Sequence, residues 1–236
     1  MEAIILAGGF GTRLRDVVKD LPKPMADIGG RPFLSFLLDY LARCGATRVF
    51  LSVGYKHEVI EDYFGRKYKG LDISYVVEDT PLGTGGALRE ALSRTSGPDV
   101  VAMNGDSFFN IDLNGMMEQH RQRGPAITIA LKAMRNFDRY GSVVVEDGRI
   151  TGFQDKVYRA FGYINGGVYV MKKEVFSSFH GGAAAFSFED DFLHRHIRDI
   201  SSSAYISDGY FIDIGIPEDY LRAQKELKTV FEGGTA

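Results

Sequence analysis

The first segment whose residue types could bind a phosphate is the glycine-rich stretch LAGGFGTRL at residues 6–14. Three glycines within four positions let the backbone turn tightly and bring N–H groups against an anion. Arg13 adds a planar cation that suits phosphate oxygens. The segment lacks the GK[ST] of a P-loop and has Leu14 where the dinucleotide fingerprint needs a third glycine. It therefore predicts either an ordinary strand-to-helix turn or a phosphate-binding loop of another kind.

Three further segments carry residues that could act with this one. Lys23 lies between two prolines in LPKPM, and PLGTGGAL at 81–88 is a second glycine-rich turn that opens a helix. Asp106, in NGDSFF, follows an apolar strand, and ligands of open α/β sheets gather at the carboxyl ends of strands. A carboxylate there suits Mg²⁺. Each segment alone also fits a plain turn, but together they predict a site for phosphates and a metal.

The elements that must position these residues alternate between strand and helix in the first half of the chain. Short apolar or alternating runs predict strands, and apolar residues at helical spacing predict helices. Alternating strands and helices indicate an α/β fold, a doubly wound and mostly parallel sheet with right-handed crossovers. The predicted strands are 3–7, 49–53, 71–77 and 99–103, with helices at 32–43, 57–64 and 87–92.

The second half of the chain is less regular. Its predicted strands are 126–131, 142–145, 163–170 and 210–214, with a helix beginning at Phe188 and a last helix over 217–231. No linker or internal repeat divides the sequence. We therefore predict a single domain over 1–236, with a nucleotide-type half at about 1–125 and a second half at about 126–236 that completes the substrate pocket.

Composition excludes several classes of protein. The 236 residues include 28 Lys and Arg against 31 Asp and Glu, a net charge of −3. That balance argues against a nucleic-acid binder with a basic surface and against a polybasic membrane anchor. The single Cys44 excludes an internal disulfide framework and predicts a reducing compartment. Because no apolar run is long enough to span a bilayer, we expect a cytoplasmic protein without a membrane partner.

The segments together resemble the sugar-phosphate nucleotidyltransferase family, the NDP-sugar pyrophosphorylases, over nearly the whole chain. LAGGFGTRL followed by LPKPM is similar to the signature of that family, and NGDSFF, FQDK, INGGVYV and FIDIGIPEDY extend the similarity. The resemblance implies a Rossmann-like nucleotidyltransferase fold with a smaller sugar-binding β region. It also implies transfer of a nucleotide to a sugar 1-phosphate with release of pyrophosphate, and Mg²⁺ as the cofactor.

The resemblance assigns roles to individual residues. The implied catalytic residues are Arg13, Lys23 and Asp106, and the implied metal ligands are Asp106 and Asp213. The implied sugar-phosphate-binding residues are Gly141, Asp155, Lys156 and Asn165, although the family often has Glu where Asp155 stands. The implied nucleotide-binding residues are Leu6, Ala7, Gly8, Gly9, Gly11, Thr12, Glu78, Gly83, Thr84 and Asn104.

Glu78 is the residue from which the base can be predicted. In related enzymes the residue five positions before the first glycine of the second loop touches the base edge. Guanine presents N1–H and N2–H₂ side by side, and a carboxylate can accept both hydrogen bonds. Uracil and thymine present one N–H between two carbonyls, which a carboxylate repels. Glu78 therefore favours GTP, although some uridylyltransferases also have Glu there.

The sugar is predicted by resemblance only. PLGTGGAL, NGDSFF, FDRYGSV, INGGVY, SFEDDFL and YFIDIGIPEDY, taken as a set, are similar to family members that use D-glycero-α-D-manno-heptose 1-phosphate in bacterial capsule, lipopolysaccharide or other surface glycan synthesis. The partners so implied are GTP and the sugar 1-phosphate, with a GDP-sugar as product and self-association into a homo-oligomer left open. Mannose 1-phosphate, or a uridylyl or thymidylyl transfer to another sugar 1-phosphate, remains the alternative.

Two functions outside this enzyme class fit the sequence less well. A non-catalytic regulatory subunit that binds nucleotide sugars would be expected to lack Arg13, Lys23 or one of the metal-binding acids, and all are present. A nicotinamide-dependent oxidoreductase would need the glycine that Leu14 replaces. The sequence favours the nucleotidyltransferase.

Overall fold

Strands and helices alternate along a computed structural model of the chain, which describes residues 1–9, 21–179 and 184–233. The helices are α1 (Phe33–Arg43), α2 (His57–Phe64), α3 (Gly83–Ser93), α4 (Leu113–Arg123), α5 (His194–His196) and α6 (Pro217–Gly233), with a 3₁₀ turn at Lys23–Met25 and a π-helical turn at Phe188–Leu193. The strands are β1 (Glu2–Leu6), β2 (Asp27–Ile28), β3 (Arg31–Pro32), β4 (Arg48–Val53), β5 (Lys67–Tyr68), β6 (Leu71–Val77), β7 (Asp99–Asn104), β8 (Ser107–Phe109), β9 (Ile127–Phe137), β10 (Ser142–Glu146), β11 (Arg149–Gln154), β12 (Arg159–Lys172), β13 (Ser202–Ser207) and β14 (Phe211–Asp213).

The main sheet has the order β11-β10-β12-β7-β1-β4-β6-β5; β9 also pairs with β12, and β13 pairs with β9. Strands β7, β1, β4 and β6 run parallel to their neighbours among these four. This parallel group confirms the predicted α/β fold. Strands β9 to β12 form an antiparallel group, and β13 runs parallel to β9.

Strand β1 shows why the sheet must be covered on both faces. Ala3, Ile4 and Ile5 are fully buried, as expected for a continuous apolar run between two parallel neighbours. Because successive side chains point to opposite faces of a strand, Ala3 and Ile5 join one core and Ile4 joins the other. Helices α1, α2, α4 and α6 contribute to the first core, and α3 with the segment after 185 contributes to the second.

Strand β12 is shared between the two halves of the protein. Its second part, from Val168 to Lys172, pairs with β7, and its first part pairs with β10. It pairs with β9 over most of its length, with a register shift between Asn165 and Tyr169. Such an irregularity re-aims the side chains beside it. Asn165 lies at this point and lines the larger cavity described below.

The helices differ from the predicted ones in two places. Helix α3 begins at Gly83 rather than 87, because the segment Ala184–Phe186 packs directly on its first turn. The Gly85 N–H donates to the Phe186 carbonyl at 2.9 Å, and a Cβ at Gly85 would lie 2.2 Å from the Phe186 ring. Helix α4, Leu113–Arg123, was not predicted from the sequence. None of the helices in the described part of the chain has the length and apolar character needed to cross a bilayer.

Helix α4 carries a buried histidine at the edge of the sheet opposite the strand ends that form the cavities. His120 is 1% exposed; its Nδ1 lies 2.8 Å from Thr128 Oγ1, and its Nε2 lies 3.5 Å from Asp99 Oδ1. Burial lowers the pKa of His120 by more than the nearby Asp99 carboxylate raises it. The folded protein therefore holds a neutral imidazole at a pH where the unfolded chain takes up a proton.

We expect this histidine to make the free energy of unfolding depend on pH. Its contribution is complete above the unfolded-state value of 6.5 and is lost as the pH falls from 6.5 toward the lowered pKa of the folded state. Urea unfolding at about pH 7.5 and about pH 5.5 should show a larger loss of stability for the wild type than for His120→Gln, which cannot titrate. Equal losses in the two proteins would contradict this prediction.

Candidate active site

Two cavities meet at the carboxyl ends of the parallel strands. The smaller has a volume of 540 Å³, and residues of β1, β4 and β7 and the residues just after β6 and β7 line it. The larger has a volume of 810 Å³ and lies toward the antiparallel half. Asn104, Asp106 and Glu189 line both cavities, so a ligand in one can touch a ligand in the other. This is the edge of an open α/β sheet at which ligands are expected.

The smaller cavity gathers most of the predicted nucleotide-binding residues. Ala7 does not line it: this residue is buried, and its N–H donates to the Ser52 carbonyl at 2.7 Å. Gly11, Thr12 and Arg13 lie outside the described residues, and their roles remain predictions. The predicted residues that do line the cavity are Leu6, Gly8, Gly9, Glu78, Gly83, Thr84 and Asn104.

Glu78 is held rigidly at the wall of this cavity. It follows β6, its Oε2 accepts a hydrogen bond from the Leu82 N–H at 2.9 Å, and its Oε1 lies 3.4 Å from the Ser52 hydroxyl. Gly8 passes so close that a Cβ there would lie 2.9 Å from Glu78 Oε1. Glycine at position 8 therefore leaves room for the carboxylate that was predicted to recognise the base.

A cation and two carboxylates meet beside the shared wall. Lys23, at the start of the 3₁₀ turn, has a side chain that is 13% exposed. Its Nζ lies 2.5 Å from Asp106 Oδ2 and 4.0 Å from Asp213 Oδ1. The flanking prolines fix the backbone of this turn, since Pro22 precedes it with φ −60° and Pro24 is buried within it. The three predicted residues thus lie together although they are far apart in sequence.

The two carboxylates suit a divalent cation. Burial raises the pKa of Asp213, the Asp106 carboxylate raises it further, and the Lys23 ammonium offsets part of the rise. A second positive charge between these carboxylates would relieve their repulsion. Within the described ranges, no cluster of three or more acidic, histidine or cysteine side chains forms a metal cage. Mg²⁺ needs none, because proteins commonly bind it through one or two carboxylates together with substrate phosphates.

The larger cavity gathers all four predicted sugar-phosphate residues. Gly141 lies just before β10, and Asp155 and Lys156 lie on the exposed turn after β11. Asn165 Nδ2 donates to the Tyr169 hydroxyl at 2.9 Å and to Glu189 Oε1 at 3.3 Å. Asn165 Oδ1 accepts a hydrogen bond from the Gly167 N–H. Asn165 is therefore fixed by its neighbours at the wall of the cavity.

The lining residues that were not predicted from the sequence include Arg139, Glu189 and His194. Glu189 Oε1 lies 3.2 Å from the buried Tyr169 hydroxyl, and burial raises the pKa of the Glu189 carboxyl. His194 stacks on Phe153 with 4.5 Å between ring centroids. The segment FEDDFL did contain a usable signal, because the apolar residues on either side of the acids mark its buried face.

Comparisons with known proteins agree with this geometry. The family model described as "Nucleotidyl transferase" matches residues 2–230. A protein of Aneurinibacillus thermoaerophilus named D-glycero-alpha-D-manno-heptose 1-phosphate guanylyltransferase is 50% identical over 228 residues, which cover 97% of this chain and 99% of that protein. A protein of the same name from Campylobacter jejuni is 46% identical over 93% of this chain and 97% of its own length.

A solved structure extends the agreement to three dimensions. HddC from Yersinia pseudotuberculosis has a TM-score of 0.86 and 35% identity to this chain, covering 96% of this chain and 99% of that one. A second structure of the same protein, complexed with GMP-PN, gives a TM-score of 0.84 at 34% identity. The fold described above is therefore found in a protein that has been solved in complex with GMP-PN.

Proposed function

The chain belongs to the nucleotidyl transferase family, and from that membership we propose that it is a sugar-1-phosphate guanylyltransferase that makes a GDP-sugar and pyrophosphate from GTP and a sugar 1-phosphate. The sugar substrate is D-glycero-α-D-manno-heptose 1-phosphate. The observation that carries the proposal is the near full-length identity of 50% and 46% to two proteins named for that reaction. We further propose that the enzyme is cytoplasmic and that its GDP-sugar product is used to build a bacterial surface glycan.

The arrangement of the two cavities supports this reaction. One cavity is lined by Glu78 and the glycines after β1, and the other by Asp155, Lys156 and Asn165. They meet at Asp106, so two phosphorylated substrates bound side by side bring their phosphates together there. Holding two reactants in contact supplies much of the rate enhancement in such a transfer.

The chemistry needs positioning and charge stabilisation more than proton transfer. A phosphate oxygen of the sugar 1-phosphate forms a bond to the α-phosphorus of GTP, and the bond from that phosphorus to the bridging oxygen breaks as pyrophosphate leaves. The attacking phosphate is already an anion, so no general base is required. In the proposal Lys23 and Arg13 stabilise the phosphates at the reacting centre, and Lys156 binds the sugar phosphate.

Asp106 and Asp213 are the residues that would hold Mg²⁺. When bound, the ion supplies positive charge that neutralises phosphate oxygens and draws the two substrates together. Asp213 is partly buried, and the nearby Asp106 carboxylate contributes to the raised pKa of its carboxyl. Lys23 balances this charge in the structure described here, with its Nζ 2.5 Å from Asp106.

Glu78 supports the choice of GTP. Its carboxylate is fixed by Leu82 and Ser52 at the wall of the nucleotide cavity. In that position it can accept the two adjacent N–H groups of guanine, whereas the carbonyls of a pyrimidine would be repelled.

A panel of substrates tests the function. Pyrophosphate release is measured with each of five nucleoside triphosphates against the 1-phosphates of D-glycero-α-D-manno-heptose, mannose, glucose and N-acetylglucosamine. We expect the highest kcat/KM for GTP with the heptose 1-phosphate. Preference for UTP or dTTP would overturn the assignment of Glu78, and preference for mannose 1-phosphate would overturn the assignment of the sugar.

A further inference from the structure

The larger cavity has an excess of negative charge for a pocket that receives an anion. Among the described residues that line it, five are acidic: Asp106, Asp155, Glu189, Asp190 and Asp213. The Lys and Arg side chains on the same wall are Arg139 and Lys156. A sugar 1-phosphate brings about two further negative charges at neutral pH, since the second pKa of a phosphate monoester lies near 6. Its binding therefore depends on the cations that face the cavity.

The cations near this cavity differ in how firmly they are held. Lys23 is already engaged by Asp106 at 2.5 Å, and Lys156 lies on an exposed turn. Arg139 lies between β9 and β10, and its Nη1 donates to Asp219 Oδ2 at 2.7 Å. Its side chain is 42% exposed, and the residue lines the larger cavity. Arg139 is thus both anchored and accessible.

Asp219 anchors Arg139 and is shared with a second arginine. This carboxylate lies in the first turn of α6, its side chain is 8% exposed, and its other oxygen lies 3.3 Å from Arg222 Nη2. Arg222 Nε in turn lies 3.5 Å from Glu226 Oε2, so the cluster pairs two guanidinium groups with two carboxylates. Asp219, a buried carboxylate with an arginine at each oxygen, therefore orients Arg139 at the cavity.

The position of Arg139 is that of a substrate ligand. Its guanidinium lies 5.5 Å from the centroid of the Tyr140 ring, and that ring contacts Phe211 at 6.0 Å. Phe211 begins β14, the short strand that ends at Asp213. The Arg139–Asp219 pair therefore lies on the side of the cavity that Asp213 lines, and a planar guanidinium matches a phosphoryl group with two hydrogen bonds.

We propose that Arg139 binds the phosphoryl group of the sugar 1-phosphate, with Asp219 as the positioning residue that holds its guanidinium at the cavity. This assignment rests on the proposed transfer to a sugar 1-phosphate but not on the identity of the sugar or of the base. It adds a second cation to Lys156 at the same substrate.

The test compares Arg139→Gln and Arg139→Lys with the wild type, using the sugar 1-phosphate that the wild type prefers. We expect Arg139→Gln to raise KM for the sugar 1-phosphate by about 10- to 100-fold, as for loss of a charge-assisted contact, with KM for GTP unchanged. Arg139→Lys should recover part of the loss. Arg94→Gln, which removes an exposed arginine paired with Glu90 on α3, is the matched control and should leave both KM values unchanged.

Binding measured by calorimetry separates phosphate recognition from a structural effect. Arg139→Gln should lose affinity for the sugar 1-phosphate and keep its affinity for the unphosphorylated sugar relative to the wild type. Asp219→Asn should raise the same KM by less than Arg139→Gln does. Arg139→Gln should stay folded at the assay temperature with a lowered unfolding temperature, because the buried Asp219 loses its 2.7 Å partner and keeps Arg222.

Three outcomes would overturn one proposal or the other. An unchanged KM for the sugar 1-phosphate in an active Arg139→Gln enzyme would overturn the assignment of Arg139 alone. Equal losses of affinity for the phosphorylated and unphosphorylated sugars would show contact with hydroxyls and would also overturn it. Absence of pyrophosphate release by the wild type with every substrate pair would instead overturn the proposed function.

Discussion

Asp106→Asn is expected to lose about 10²- to 10³-fold in the rate of pyrophosphate release while keeping its fold. In the proposed mechanism, the amide cannot supply the negative charge that would hold a metal ion and Lys23 at the reacting phosphates. Stability should change little, because the Asp106 side chain is 41% exposed and Lys23 Nζ retains Asp213 as an acidic neighbour at 4.0 Å. We therefore expect the loss of rate to reflect weaker stabilisation of the transition state rather than unfolding of the protein.

The measurement is kcat at saturating GTP and sugar 1-phosphate in Mg²⁺, with thermal unfolding of the same samples. Calorimetric titration with Mg²⁺ in the presence of GTP gives a second readout, in which the variant should bind the ion more weakly. Asp72→Asn is the matched control, because Asp72 is an exposed carboxylate on β6 that pairs with Lys67. Full activity of Asp106→Asn in Mg²⁺ would eliminate Asp106 as a metal ligand.

Glu78→Gln is expected to lower kcat/KM for GTP by about 10- to 100-fold, since hydrogen bonds to a charged group contribute more than neutral ones. A glutamine offers one acceptor and one donor where the carboxylate offers two acceptors, so its amide would oppose one of the two guanine N–H groups. The glutamine oxygen can still accept from the Leu82 N–H, which keeps the loop in place.

Inosine triphosphate, which lacks the 2-amino group of guanine, isolates this contact. The wild type should prefer GTP over ITP, and the preference should shrink in Glu78→Gln while KM for the sugar 1-phosphate stays constant. If Glu78→Gln keeps the same preference for GTP over ITP as the wild type, Glu78 does not recognise the base.

Much of the fold was predictable because its signals are local. The apolar run at 3–7 and the alternating strands that follow it carry their own periodicity, so the parallel group was predicted correctly. Helix α4 was missed because its exposed face is highly polar and few apolar residues mark its buried side. Its ends did carry signals: Asp112 caps it by accepting from the Gly115 N–H, and Gly124 ends it with φ +65°.

Site residues that lie in a recognisable motif were predicted from the sequence. Site residues placed by contacts between distant segments were not. Lys23, Asp106 and Asp213 come together in the structure, and each stands in a segment with a distinctive pattern. Arg139 acquires its position from Asp219, which is 80 residues away in the chain. No local pattern encodes that pairing, because it depends on where β10 and α6 lie in the folded sheet.

The shared strand β12 has a consequence for how such a protein can change over evolution or in the laboratory. Because β12 pairs with β7 of the parallel group and with β10 of the antiparallel group, it is part of the sheet in both halves. A gene fused from the front of one relative and the back of another would have to preserve every backbone contact of that strand to fold. Loop exchange on an intact frame, such as replacing the turn after β11, is therefore the practical route to a new sugar preference.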